Sequence, residues 1–285
     1  MNIEFKEKTF EKYFGHELAH LTNITFSPDQ CDEARLGFDE AFFLPENWFF
    51  RFGPYVRRRR RGRLTGIEVD EFNNYGKMVA EHMPPFKLNL FVQFKRPTFL
   101  TSRGAREWSD WKQSYYRYET TPHQQEALER IDAQSYGRAA TIYASPAFWQ
   151  ATDLWVYMSK DAVVEHSNMV SAVKLKGHEH YSYIGPGYVG KGHSETVDIE
   201  SEPLQQIIEN GFGRNDPLPL NQQLKKTATA IIEANSKSDL VTLIFHQVQM
   251  AMGFEELNPN SLYDAIGIIR VFSEAFSVRY YALGE

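Results

Sequence analysis

Cysteine is almost absent from these 285 residues. Cys31 stands alone, so no internal disulfide can form, and a reducing compartment is expected. No apolar run reaches the roughly 18 residues that a membrane-spanning helix needs. The opening segment, MNIEFKEKTFEKYFGHE, carries charges where a secretory signal has its apolar centre, which points to a cytoplasmic protein. Net positive charge is missing as well. With a formal net charge of −6, any nucleic-acid surface has to be a local basic patch on an acidic body. No internal repeat and no low-complexity tract divides the chain.

The residues that are present describe a globular protein. Hydrophobic side chains make up 42% of the chain, and 21 Phe, 15 Tyr and 5 Trp supply the volume for a sizeable core. Residues 7–21 predict a helix with Phe10, Tyr13, Phe14 and Leu18 on one face. LGFDEAFFL, residues 36–44, predicts an aromatic strand, and a polar, basic insertion follows over about 47–86. KLNLFVQFK, residues 87–95, is the clearest strand and is closed by Arg96-Pro97. Helices are expected over 105–113 and 123–134, and a short buried strand over 140–145 before Pro146. Residues 161–200 read as turns rich in Gly and His. From about 202 the spacing is helical, over 202–210, 219–235, 239–252 and 261–282. The expected fold class is therefore α/β over residues 1–200, with a helical C-terminal region over 201–285.

Alternation along the 87–95 strand puts Leu88, Leu90, Val92 and Phe94 on one face. Asn89, Phe91, Gln93 and Lys95 fall on the other. A lysine leaving a buried strand is costly without an anionic partner. Asp39 interrupts its own apolar strand in the same way, and Glu33 precedes it. If the two strands pair, Asp39, Gln93 and Lys95 converge. Carboxylate and amide oxygens are hard ligands suited to Mg²⁺, and a neighbouring lysine can stabilise developing negative charge or orient water. A rival acidic pair is Glu68 and Asp70, which alternate with Ile67 and Val69 as in a strand.

Glu33, the LGFD run ending at Asp39, and FVQFK with Gln93 and Lys95 together resemble the PD-(D/E)XK nuclease superfamily, in particular its Mrr-like branch, where QxK replaces the usual acidic half-motif. Gln124 and Gln125, on a helix after the QxK strand, fit a common feature of that fold. The resemblance implies a restriction-endonuclease-like mixed sheet flanked by helices. It implies a Mg²⁺ or Mn²⁺ cofactor and phosphodiester hydrolysis, as in a DNA endonuclease of restriction or defence type. By that match Asp39 and Glu33, the latter the helix-borne glutamate, hold the metal, Gln93 assists, and Lys95 supports the attacking water. The long interval between Asp39 and Lys95 requires an insertion.

Within that interval stand Arg57, Arg58, Arg59, Arg60 and Arg61, then Arg63. Such a run is ordinarily a solvated loop; on a nuclease it would clamp DNA phosphates. Trp108, Trp111, Tyr115, Tyr116 and Tyr118 can stack on bases, although core packing is the commoner role. His178, His180 and His193 suggest a zinc site, but their spacing fits no standard motif. The apolar stripe Leu262, Ile266, Ile269, Phe272, Phe276 and Tyr280 needs a partner surface, either the body or a second copy, and a homodimer would suit an enzyme cutting both strands. A different class of function also suits the Gln at position 93: a non-catalytic module on the same fold that binds nucleic acid or protein.

Overall fold

The structure is a computed structural model that describes residues 1–28, 42–43 and 69–284, apart from 188 and 255; for 42–43, 69–72, 75 and 79 it describes the backbone only. Glu33, Asp39, Glu68 and the arginine run Arg57–Arg63 lie outside the described residues. Elements are numbered in chain order. They are α1 (Glu7–His20), β1 (Ile24–Phe26), β2 (Phe42–Phe43), α2 (Val69–Ala80), β3 (Phe86–Phe94), β4 (Thr98–Leu100), α3 (Trp108–Trp111), β5 (Tyr115–Glu119), α4 (Pro122–Gln134), β6 (Ala139–Pro146), α5 (Ala151–Met158), β7 (Ser167–Ser171), β8 (His180–Tyr183), β9 (Val189–His193), β10 (Val197–Glu200), α6 (Leu204–Arg214), α7 (Leu220–Asn235), α8 (Asp239–Ala251), α9 (Leu262–Phe276) and β11 (Arg279–Gly284).

The fold is mixed α/β, with two sheets flanked by helices. The first sheet has the order β2-β1-β11-β3-β6-β7, and the second β10-β9-β8-β5-β4. Among the described residues only the β3–β6 pair is parallel, and the chain between these two strands carries α4 across the sheet. All nine residues of β3 are buried or nearly so, because helices cover both of its faces. On one face, Phe10 and Phe14 of α1, one helical turn apart, meet Phe94 edge-on at 5.7 and 5.2 Å. On the other, Phe91 packs against Phe272 of α9 at 5.7 Å and Tyr280 of β11 at 5.1 Å. Asn89, on this second face, is buried but satisfied: its Oδ1 accepts from Gln223 Nε2 at 2.9 Å and from Tyr280 Oη at 2.8 Å.

The alternation expected along β3 is therefore present, and the helices expected at 7–21, 123–134, 219–235 and 239–252 form within a residue or two. Several expectations are corrected. The last helix stops at Phe276, where Ser277 adopts left-handed backbone with φ 53°, and residues 279–284 form β11. Val278, Tyr280 and Tyr281 are β-favouring side chains, and the strand gains a place between β1 and β3. The helical stripe is thus covered by the body: Phe272, Phe276 and Tyr280 are fully buried. Asp70 lies in helix α2 and not in a strand, so the short alternation around Ile67–Asp70 gives way to helical spacing from Val69 onward. The segment 161–200, expected as turns, holds the four strands β7 to β10. Two of its glycines, Gly190 and Gly192 of β9, serve close packing. A Cβ on Gly190 would overlap the ring of buried Tyr181 on the neighbouring strand.

Tyr115, Tyr116 and Tyr118 are buried, as their core reading expects. Phe99, Tyr116 and Tyr183 stack in series at 4.7 and 5.3 Å. Tyr118 of the second sheet stacks on Tyr143 of the first at 5.9 Å, and Tyr183 Oη donates to the Pro146 carbonyl at 2.8 Å. The two sheets are joined by these tyrosines. Among the described residues, no helix is long and apolar enough to cross a membrane.

Candidate functional site

Gln93 and Lys95 sit at the C-terminal end of β3, where the strand leaves the core. Gln93 is buried at 3% exposure and stands in register with Tyr143 of parallel β6. Its Nε2 donates to its neighbour's carbonyl, Phe94 O, at 3.4 Å, and its Oε1 has no hydrogen-bond partner among the described residues. A buried amide oxygen left open in this way calls for an explanation, such as a role as ligand.

Lys95 is half-buried. Its backbone N–H continues the ladder to Ala144 O at 2.9 Å, which fixes the side chain at the strand end. From there Nζ donates to Gln124 Oε1 on α4 at 3.4 Å and lies 5.5 Å from the centre of the Tyr143 ring. Burial pushes the ammonium below the usual lysine range, and the charges of Glu7 and Glu119 work against that shift. Glu7 is the first residue of α1. Burial raises its carboxyl, and Lys95 is the strongest influence holding it down; the backbone N–H of Arg96 also donates to it.

The helix expected after the QxK strand forms, and it carries Gln124 and Gln125. Thr121 precedes Pro122, which opens α4 at a position where a missing N–H costs nothing. Gln124 points to Lys95, and Gln125 is fixed by three bonds. It accepts from Tyr143 Oη at 2.8 Å and donates to Ala172 O at 2.7 Å and to Glu129 Oε1 at 2.8 Å. The β3–α4–β6 crossover thus delivers Gln93, Lys95, Gln124 and Tyr143 to one locus.

The strand expected around Asp39 does not flank β3. β3 pairs with β11 and β6, while Phe42–Phe43 pair with β1. β1 and β11 stand between β2 and β3, a separation of about 14 Å at ordinary strand spacing. Asp39 and Glu33 themselves lie outside the described residues. Among the described residues the carboxylate that acts most on Lys95 is Glu7, which the sequence reading passed over. Its signal was slight: an acidic residue in the first turn of an expected helix, where a negative charge suits the helix dipole.

His178, His180 and His193 do not form a three-ligand group. His180 and His193 are cross-strand neighbours on β8 and β9. His193 Nε2 is bonded to Ser182 Oγ at 2.7 Å, and His180 lies 3.4 Å from Glu119. Arg117 is held by Glu107 at 2.9 Å. No protein-family model, no curated protein and no solved structure matches this chain.

Proposed function

We propose that this chain is a metal-dependent nuclease, hydrolysing phosphodiester bonds in DNA in the cytoplasm, with a PD-(D/E)XK-type site centred on Lys95. The observation that carries the reading is the half-buried Lys95 ammonium at the end of a core strand, bonded to Gln124 and balanced by Glu7. A purely structural lysine would be expected to form an ion pair or extend into solvent. This one is bonded to Gln124 and sits two residues along the chain from a buried amide whose oxygen is open.

Gln93 Oε1 is a hard oxygen donor of the class that Mg²⁺ or Mn²⁺ takes. The family resemblance adds Asp39 and Glu33 as the acids, and both lie outside the described residues. A bound ion supplies polarisation of a phosphoryl oxygen and a more acidic water. The residues of the chain do the rest. Lys95 orients the attacking water and offers positive charge to the phosphorane-like transition state. Gln124 fixes the Nζ position. The arginine run Arg57–Arg63 would engage the flanking phosphates, and a homodimer would place two such sites on a duplex.

The test is cleavage of plasmid DNA by the full chain with Mg²⁺ or Mn²⁺, against EDTA and against Lys95→Ala. Metal-dependent nicking that Lys95→Ala abolishes supports the proposal. Equal behaviour of the two proteins on every DNA and RNA substrate overturns it. The second reading, a non-catalytic nucleic-acid- or protein-binding module, draws on the amide at Gln93, where most metal-dependent sites would place a carboxylate. It predicts salt-sensitive binding without cleavage, and no heat of Mg²⁺ binding in calorimetry.

A further inference from the structure

A second cluster of ligand-type side chains lies on the outer surface of α1, away from β3. His16 and His20 are four residues apart on this helix, so both project from one face, and their rings are 4.8 Å apart. Asp161 reaches the same point from the turn between α5 and β7. Its Oδ1 lies 3.8 Å from His20 Nδ1. One donor atom from each of the three residues falls within 4.8 Å of the others, and this is the only such group of three among the described residues.

The convergence depends on how the turn is held. Asp161 has left-handed backbone with φ 50°, an unusual conformation for a residue with a side chain. Two backbone bonds close the turn, from Asp161 N to Met158 O at 3.3 Å and from Ala162 N to Tyr157 O at 3.0 Å. Glu17, between the two histidines in sequence, is buried at 6% exposure, and its Oε2 accepts from Val164 N at 3.0 Å. One stretch of α1 therefore supplies two imidazoles and also clamps the turn that supplies the carboxylate.

His16, Glu17, Leu18, Ala19 and His20 spell H-E-x-x-H on a helix, a spacing at which two imidazoles bind one zinc ion. In metalloproteases of that pattern the glutamate is a general base at the metal. Here its carboxylate is committed to the turn, and its role is positioning. Zinc takes imidazole nitrogen and carboxylate oxygen at about 2.0–2.2 Å, which sets donors about 3.4 Å apart in a tetrahedron. The His20–Asp161 pair is already close to that value. The remaining closure falls on exposed side chains, whose rotation is easy.

We propose that His16, His20 and Asp161 form a zinc-class transition-metal site with three protein ligands and a fourth position open to water. The ion would fasten α1 to the α5–β7 turn. This site is separate from the oxygen-donor locus at Lys95.

The test is calorimetric titration of the EDTA-treated full chain with Zn²⁺, with Co²⁺ as a spectroscopic substitute and thermal unfolding as a second readout. Wild type should bind one Zn²⁺ per chain, give a visible d–d band with Co²⁺, and melt at higher temperature with zinc. The double variant His16→Gln/His20→Gln should lose at least about 100-fold in affinity and the thermal shift, and Asp161→Asn should lose at least about 10-fold. His82→Gln, an exposed histidine bonded to its own helix, serves as the control and should bind zinc as wild type does. The three ligands are exposed, and circular dichroism will show whether the variants keep the fold. Absence of a zinc equivalent in wild type, undiminished binding by the double variant, or loss of binding in His82→Gln would overturn the assignment.

Discussion

Gln223 of α7 and Asn89 of β3 are joined by a buried amide-to-amide hydrogen bond of 2.9 Å, and Tyr280 of β11 bonds to the same Asn89 oxygen. One strand, one helix and the final strand of the first sheet are thereby tied at a single atom. Asn89→Ala should leave two buried donors without an acceptor. The expected loss is about 3 kcal/mol of unfolding free energy, measured by urea titration. A loss under about 0.5 kcal/mol would mean that the network adds little to the core.

Gln124→Ala should lower DNA cleavage by about 10-fold, because it frees the Lys95 ammonium to sample other rotamers. Lys95→Ala should cost at least about 100-fold. The order of the two effects is the check. Under single-turnover conditions, a Gln124 variant as inactive as the lysine variant would point to a further role for the amide.

Gly190→Ala should destabilise the second sheet by about 1–3 kcal/mol, since the added methyl overlaps the Tyr181 ring and that ring is enclosed by other tyrosines. Gly187→Ala, with nothing within 4 Å of its would-be Cβ, is the comparison. Thermal melts of the two variants should differ clearly.

His193 has its protonated form disfavoured by burial, against the opposing charges of Glu107 and Asp110; Arg117 and His180 also disfavour it. Its folded pKa therefore lies below the unfolded value near 6.5. Between those values the unfolded chain binds more protons, so stability rises with pH in that window and falls on acidification through it. His193→Gln should flatten this part of the stability–pH curve, measured by thermal unfolding from pH 7 to pH 5. An unchanged slope would assign the acid sensitivity elsewhere.

The arginine run makes a prediction that depends only on counting phosphates. Replacing Arg57–Arg61 and Arg63 by Gln should weaken binding to duplex DNA and reduce the slope of log K against log salt. Each lost phosphate contact contributes about 0.9 to that slope. An unchanged slope would identify the run as a solvated loop.

Much of the fold was readable along the chain because local signals agreed with the tertiary structure. The apolar run of β3 closed by Pro97, the two-sided periodicity of α1, and Pro122 at the start of α4 all express burial or backbone constraint within a few residues. Strand neighbours were not readable in this way. β11 continues the helical spacing Phe272, Phe276, Tyr280, and what ends the helix is the backbone of Ser277, with no glycine to announce it. The glycines of β9 suggested loops because their reason lies outside the strand, in the Tyr181 ring beside Gly190 and in Ile199 and His178 beside Gly192. At the candidate site, Gln93, Lys95 and Gln124 were visible as a strand motif followed by a helix. Glu7 was not, because its charge acts on Lys95 from a segment far away in sequence. The His16 and His20 spacing was there to be read, but its third member, Asp161, is supplied only by the fold.

The placement of β11 has a bearing on synthesis. Residues 279–284 follow every other element described, and they occupy an interior lane of the first sheet, between β1 and β3. Until that segment has left the ribosome, the strand bearing Gln93 and Lys95 keeps one raw hydrogen-bonding margin. Chains in which that segment is not yet made would expose the margin to other polypeptides, and would depend on its prompt synthesis, or on chaperone shielding, to avoid pairing with the wrong neighbour.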